Sequence, residues 1–203
     1  WATLSGEKRH CIVHRIDKGA SVVMVVAKTN QAHLGLSRQL EDKTMGRYYL
    51  AIMDMPLKEN IIVEKPIGRN QNNRLKMSIE ENGRNAKSAF SKIALSDNEK
   101  FELIAAKLYT GRTHQIRVHL SSMNRHILGD NLYGFKGELN KINRFYLHAY
   151  YLYLTHPITN KQMSFKANLP NDMDEFLNIN FKKEDINDKL NENNIVSNFN
   201  TFI

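Results

Sequence analysis

Residues 86–123 read AKSAFSKIALSDNEKFELIAAKLYTGRTHQIRVHLSSM. Two strand-like runs, Ala86 to Leu95 and Phe101 to Leu108, flank Ser96-Asp97-Asn98-Glu99, whose small polar side chains favour a hairpin turn. Gly111 then leads into Thr113 to Met123. In a helix there, Ile116, Leu120 and Met123 share one face, and His114, Arg117 and Ser121 share another. A hairpin, a glycine turn and a short helix in succession predict an α+β arrangement in which the helix packs on an antiparallel sheet.

Working outward towards the N-terminus, Val22 to Ala27 (VVMVVA) is short, apolar and β-branched, and predicts a buried strand. Asn30 to Lys43 has helical character, with Leu36 and Leu40 one turn apart and Asn30 as a candidate cap. Arg47 to Met53 predicts a strand broken by Asp54-Met55-Pro56, and Ile61 to Val63 another. Pro66 to Gly83 is rich in Asn, Arg and Lys and predicts a basic connecting loop.

Towards the C-terminus, a glycine-containing loop spans Gly129 to Gly137. Leu147 to Leu154 and Gln162 to Ala167 predict paired strands around His156 to Asn160, and a helix starts near Asp172. The expected fold class is α+β, a mixed, mainly antiparallel β-sheet with flanking helices and loops. No internal repeat or linker divides the chain. The expected organisation is one domain over residues 1–180 and an acidic, Asn-rich tail over 181–203. With nine Asn in its last 33 residues and few large apolar groups before Phe199, that end predicts weak order.

The chain has 203 residues, 41% of them hydrophobic, enough for one sizeable core. It lacks an apolar run of about 18 residues, which argues against a membrane span. A lone cysteine, Cys11, excludes an internal disulfide and a Cys-rich zinc site, and suits a reducing cytoplasm. Trp1 is not an initiator methionine and no signal-peptide pattern follows it, which predicts a trimmed chain with upstream parts missing. The formal net charge is +8, divided as +12 over residues 1–170 and −4 over 171–203. A basic body suits a polyanionic partner, because each phosphate neutralised releases condensed counterions. Simple solubility accounts for the same charge.

Asp17 stands in His14-Arg15-Ile16-Asp17. On local context alone it is a structural ion pair with Arg15 or a catalytic carboxylate. Gly111 to His119 is a glycine turn entering a helix, and its generic reading is an anion cradle. His114 and His119 are five apart rather than the four that align two ligands on a helix face, so no metal is expected. His148 and His156 read as structural or RNA-facing residues. Tyr150, Tyr151 and Tyr153 read as strand packing, and Tyr133 as packing or loop anchoring.

Four segments occur in order: HRIDKGASVVMVVAK, GRYYLAIM, LYTGRTHQIRVHLSSMNRHILGDNLYG and LHAYYLYLTHP. Together they closely resemble the RluA-type family of RNA pseudouridine synthases, from about Ile12 to Pro170. GRTHQIRVH followed by ILGDNLYG is the most specific part. The resemblance implies the family's catalytic fold, with an RNA cleft along the sheet. It implies that Asp17 is the essential aspartate and that Arg15 handles a flipped-out nucleotide. Tyr49 would stack on the target base and is a candidate for proton removal, and Arg117 would pair with the aspartate and hold its carboxylate bidentately. Arg112, His114 and Lys18 join Arg15 as candidate RNA contacts, although a solvated lysine is the plainer reading of Lys18. No cofactor and no metal are implied.

The chain departs from many relatives at Ala20-Ser21-Val22, where a glycine usually stands in place of Val22, and at Arg47, where lysine is common. The family's N-terminal strand and the small RNA-binding domain further upstream are not in these residues. The expected partner is ribosomal RNA, most of all of the large subunit, or transfer RNA, and the expected state is a monomer. A non-catalytic RNA-binding or ribosome-assembly factor and a small-nucleoside glycosidase are the competing readings. The absence of an evident second catalytic carboxylate weighs against the glycosidase.

Overall fold

The computed structural model describes residues 11–137 and 144–202. Trp1, on which the reading of a trimmed start rests, lies outside them. The centre is a six-stranded sheet with strand order β2-β5-β6-β1-β7-β8, built from β1 (Gly46–Met53), β2 (Ile61–Glu64), β5 (Lys87–Leu95), β6 (Glu102–Leu108), β7 (Leu147–Thr155) and β8 (Gln162–Lys166). All its strand pairs are antiparallel. Among the described residues the parallel contribution is a single bridge between Ser21 and His148. The α+β class with a mainly antiparallel sheet is therefore the observed one.

The hairpin expected at residues 86–108 is β5 paired with β6. Ser96 Oγ accepts from the backbone N–H of Phe101 at 3.0 Å and closes the turn.

Strand β1 lies mid-sheet and is buried at every position. Its alternation sends Tyr48, Leu50 and Ile52 to one face and Tyr49, Ala51 and Met53 to the other. On the first face lie α3 (Asn171–Asn180), α4 (Lys183–Ile186) and α5 (Glu192–Asn200), which contribute Met173, Leu177, Ile186, Ile195 and Phe199 to the core. The second face carries α2 (Gln115–Ser121), through Ile116 and Leu120. A register shift opposite Tyr48 and Tyr49 leaves Tyr150 of β7 as an extra residue. It lets β7 bury Leu147 and Ala149, then Leu152 and Leu154.

Several expectations need correction. Residues 183–186 and 192–200 form two helices anchored by fully buried Phe199, so the weak order expected from the Asn content of this end does not hold. The few apolar residues there recur at helical spacing, and composition alone hides that pattern. The connecting loop expected at Pro66 to Gly83 contains a two-stranded hairpin, β3 (Ile67–Arg69) with β4 (Met77–Ile79).

Val22 to Ala27 is extended but is not a buried strand. Only Ser21 and Val23 donate backbone hydrogen bonds to β7, at 3.1 and 2.8 Å. Val23, Val25 and Ala27 pack inward, whereas Val22, Met24 and Val26 are 37–41% exposed. One face is covered and the other is not. Helix α1 (Asn30–Glu41) is capped by Thr29, not Asn30, with Thr29 Oγ1 accepting from Ala32 N–H at 3.1 Å. Among the described residues no helix is long and apolar enough to cross a membrane.

Candidate active site

Asp17 is placed by a tight turn. Its carbonyl accepts from Ala20 N–H at 3.1 Å, and Gly19, at the third position, has φ +100°. A glycine there avoids the strain a side chain would meet at positive φ. Phe145 packs over the same spot, 3.1 Å from where a Gly19 Cβ would stand. The turn leaves the Asp17 side chain 18% exposed and facing α2. Lys18 is exposed and does not line the pocket.

Arg117 rises from α2 beneath it. Its Nη1 donates to Asp17 Oδ2 at 3.4 Å, while Nε and Nη2 donate to the two oxygens of Asp130 at 2.8 Å each. The bidentate pair expected between Arg117 and Asp17 is therefore made with Asp130, and Asp17 receives the remaining nitrogen. Tyr133 and Phe145 add ring faces with centroids 4.8 and 4.3 Å from the guanidinium carbon. Burial works against the Arg117 charge, but the hydrogen bonds and charge of Asp130, then the charge of Asp17, outweigh it and raise its pKa. A cation held in this way is a fixed, preorganised donor.

The motif around Arg117 shows why each polar residue is present. Gln115 Oε1 accepts from Thr110 Oγ1 at 2.7 Å and from Arg112 N–H at 3.0 Å. Its Nε2 donates to the Lys87 carbonyl and to Ser88 Oγ. That one amide staples the loop before α2 to β5. His119 is fully buried between Ser88 Oγ and the Lys65 carbonyl. His114 sits at φ +57° with Nδ1 2.7 Å from the Tyr133 hydroxyl, which also accepts from Met77 N–H at 2.9 Å. Burial lowers the His114 pKa; Asp17 pulls it up and Arg117 pushes it down.

Tyr49 comes from the face of β1 turned towards α2 and lines one small pocket with Asp17, Arg15 and Arg112. Burial, opposed by Arg47 and aided by Asp17, pushes the Tyr49 phenol up to about 12, so it stays neutral across the physiological range. Arg15 is exposed and donates to Thr113 Oγ1 at the pocket mouth. Arg112 Nε donates to the Asn85 carbonyl at 2.9 Å.

The tertiary structure thus brings Asp17, Tyr49, Arg117, Arg15 and Arg112 together, sets His114 beside them through Tyr133, and leaves Lys18 outside. Asp130 and Phe145 are assigned no role on sequence. Asp130 stands in ILGDNLYG, and a lone carboxylate between a glycine turn and apolar residues is the signal that points to it. His148 is structural: its Nδ1 meets Ser21 Oγ at 2.7 Å and its Nε2 the Ala167 carbonyl at 2.9 Å. His156 closes its own turn by accepting from Ile158 and Thr159 N–H.

An aspartate on a tight turn, an arginine locked beneath it and an aromatic residue from the sheet thus meet at one small pocket lined by Arg15, Arg47 and Arg112. The model of the RNA pseudouridylate synthase family matches residues 2–122. An uncharacterized RNA pseudouridine synthase of Helicobacter pylori (strain J99) is 46% identical over 205 residues, covering 98% of this chain and 62% of the relative. Ribosomal large subunit pseudouridine synthase D of Zymomonas mobilis is 40% identical over 177 residues, covering 84% and 56%. Among solved structures, human RNA pseudouridylate synthase domain-containing protein 1 superposes with TM-score 0.69 at 26% identity, over 79% of this chain and 69% of that one.

The chain belongs to the RNA pseudouridine synthase family, the family that HRID, GRTHQIRVH and ILGDNLYG resemble. It spans less than two thirds of the length of these two sequence relatives.

Proposed function

We propose that the protein isomerises uridine to pseudouridine in RNA, with Asp17 as the catalytic carboxylate. The observation that carries this reading is the order of attachments at Arg117. Two nitrogens are tied to buried Asp130, and the third meets Asp17 at 3.4 Å, so the carboxylate is oriented while an edge stays free for substrate.

The reaction breaks the bond between uracil N1 and ribose C1′, turns the base, and joins C5 to C1′. The proton lost from C5 is matched by one gained at N1, so the product is an isomer and no co-reactant is consumed. An ionised Asp17 stabilises or traps the cation-like C1′ as the first bond breaks, as glycosidase carboxylates do, or removes a ribose proton. Both routes need its charge, and the Arg117 guanidinium orients the carboxylate that carries it.

Tyr49, buried and neutral, supplies a ring for the base to stack on, worth about 1–3 kcal/mol. That return offsets part of the few kcal/mol that extrusion of a paired base costs. The pocket holds only about 40 Å³ of open space, room for little more than one water molecule. Arg15, resting on Thr113 beside the pocket, is exposed, and on leaving Thr113 its guanidinium is free to fill the gap in the RNA stack. Arg112 lines the pocket, and His114 stands behind it on the Tyr133 hydroxyl.

Large-subunit ribosomal RNA is the substrate we favour, because relatives at 38–40% identity carry the name ribosomal large subunit pseudouridine synthase D. Transfer RNA is the comparison substrate.

The test incubates the protein and its Asp17→Asn variant with ribosomal and transfer RNA from a strain lacking the gene, then maps pseudouridine chemically. A site gained only with the wild type is the expected result. Turnover by Asp17→Asn overturns the role of Asp17. Binding without turnover on either RNA returns the non-catalytic assembly-factor reading.

A further inference from the structure

Beside the Asp17 pocket lies a wider cleft of about 630 Å³, and Arg15, Arg47, Gly111 and Arg112 line both. The cations of the wide cleft are Arg15, Lys43, Arg47, Arg84 and Arg112, and Glu41 is the one acid among its lining residues.

Three of its wall residues bury polar atoms that have no hydrogen-bond partner: Arg47 Nε, His14 Nδ1 and Tyr109 Oη. Arg47 is only 9% exposed, and no carboxylate among the described residues pairs with it. His14 Nε2 accepts from Val25 N–H at 3.1 Å, so Nδ1 carries the proton and is a donor. An N–H buried without an acceptor is destabilising, because its hydration is lost and nothing replaces it. Unmet polar atoms just behind the wall of one cavity, with the cations that line it, suit a ligand rich in acceptors. With five cations against one acid, that ligand is an anion.

The backbone between the two cavities is shaped for the same purpose. A Cβ on Gly111 would come within 2.8 Å of Arg47 Nη1, so glycine lets the guanidinium lie flat against the loop. Arg112 is held by the Asn85 carbonyl, and the neighbouring charge of Arg84 works against its own after burial does. Crowding of like charges of this kind is relieved by a bound anion.

We propose that Arg47, with His14 and Arg112, forms a phosphate-binding subsite that grips the RNA backbone phosphate next to the uridine held at Asp17. This rests on the pseudouridine synthase reading for the identity of the RNA, but the anion site itself stands on the cleft. Arg47 lies in β1 two residues before Tyr49, so both side chains leave the same sheet face. A nucleotide stacked on Tyr49 would therefore have its own phosphate at Arg47. A guanidinium fork matches two phosphate oxygens at once, which a lysine does only as a point charge.

The test measures binding of unmodified ribosomal RNA by the Asp17→Asn protein across about 50 to 200 mM KCl, with Arg47 retained or changed to Gln or Lys. Each phosphate contact contributes a slope of about 0.7–0.9 in log K against log salt. Arg47→Gln should lower the slope by about one such contact, a roughly threefold smaller loss of affinity over that range. Arg47→Lys should retain it.

A second arm leaves the protein intact and replaces the phosphate beside the modified uridine with a neutral methylphosphonate in a short RNA. It should lower the slope by the same amount, and Arg47→Gln should then add nothing. An unchanged slope in either arm overturns the proposal, as does inorganic phosphate binding at Arg47 while RNA binding stays indifferent to Gln. Loss of slope in a protein that modifies no RNA would keep the subsite and remove the catalytic reading. Turnover with an unchanged slope would do the reverse.

Discussion

Arg117 donates to both oxygens of Asp130 at 2.8 Å and spares one nitrogen for Asp17 at 3.4 Å. Asp130 is 2% exposed and Arg117 5%, so the pair is buried while Asp17 sits at the rim. The guanidinium is thereby held from below, and its remaining nitrogen meets the Asp17 carboxylate. Under the proposed function Asp130 is a positioning residue, acting through Arg117.

Removing Asp130 leaves a buried cation without its main counter-charge. Asp130→Ala should lower stability by about 3–5 kcal/mol, read from urea denaturation. Asp130→Asn keeps the shape and one acceptor, so it should fold better than Ala yet lose kcat with KM little changed. A KM effect with intact kcat would show that Asp130 acts on binding instead.

Tyr49 is tested by separating its ring from its hydroxyl. Tyr49→Phe should keep RNA affinity, and Tyr49→Ala should lose about 1–3 kcal/mol of it. Because burial holds the phenol neutral up to about pH 12, the wild type and Tyr49→Phe should share one pH–rate profile shape. A basic limb lost only in Phe would assign proton transfer to the hydroxyl.

His14 links the cleft to acid stability. Burial, then the charge of Arg47, lowers its pKa from 6.5 to about 4. The unfolded chain therefore binds this proton first, and the stability present above about pH 6.5 is lost as pH falls towards 4. Lowering pH from 7 to 5 should cost about 2 kcal/mol through this residue. His14→Gln, which retains an acceptor for Val25 N–H, should flatten the fall by that amount in denaturant titrations at the two pH values. The remaining slope belongs to other buried histidines, among them His119 and His148, whose pKa values burial also lowers.

Phe199 tests whether the C-terminal helices belong to the fold. It is fully buried, with its ring centroid 5.6 Å from that of Tyr48 of β1. Phe199→Ala should cost about 3–5 kcal/mol, read as a drop in urea midpoint. A midpoint equal to the wild type's would mean that the tail contributes nothing to the core.

Much of the molecule is legible before any coordinates are known. The β5–β6 hairpin, β1, α1 and the β7–β8 pair follow from short-range patterns: alternation, turn residues and a helical repeat each act within a few residues. The identity of Asp17, Tyr49 and Arg117 as a set follows from motif resemblance, and all three do converge. What the chain's pattern could not decide are relations between distant residues. Asp130 takes the bidentate place expected of Asp17, because a carboxylate 13 residues away arrives within 2.8 Å only once the loop after α2 has folded back. The run Val22 to Ala27 is apolar enough to be buried on both sides, yet only one side meets a neighbour. The Asn-rich tail spaces its few apolar residues so that helices cover the sheet, a pattern that composition averages away. Arg47 and His14 look ordinary in one dimension. Only tertiary packing, of Arg47 against Gly111 and of His14 against Val25, buries Arg47 Nε and His14 Nδ1 without a partner, and burial of that kind is a property of the assembled surface rather than of any local run.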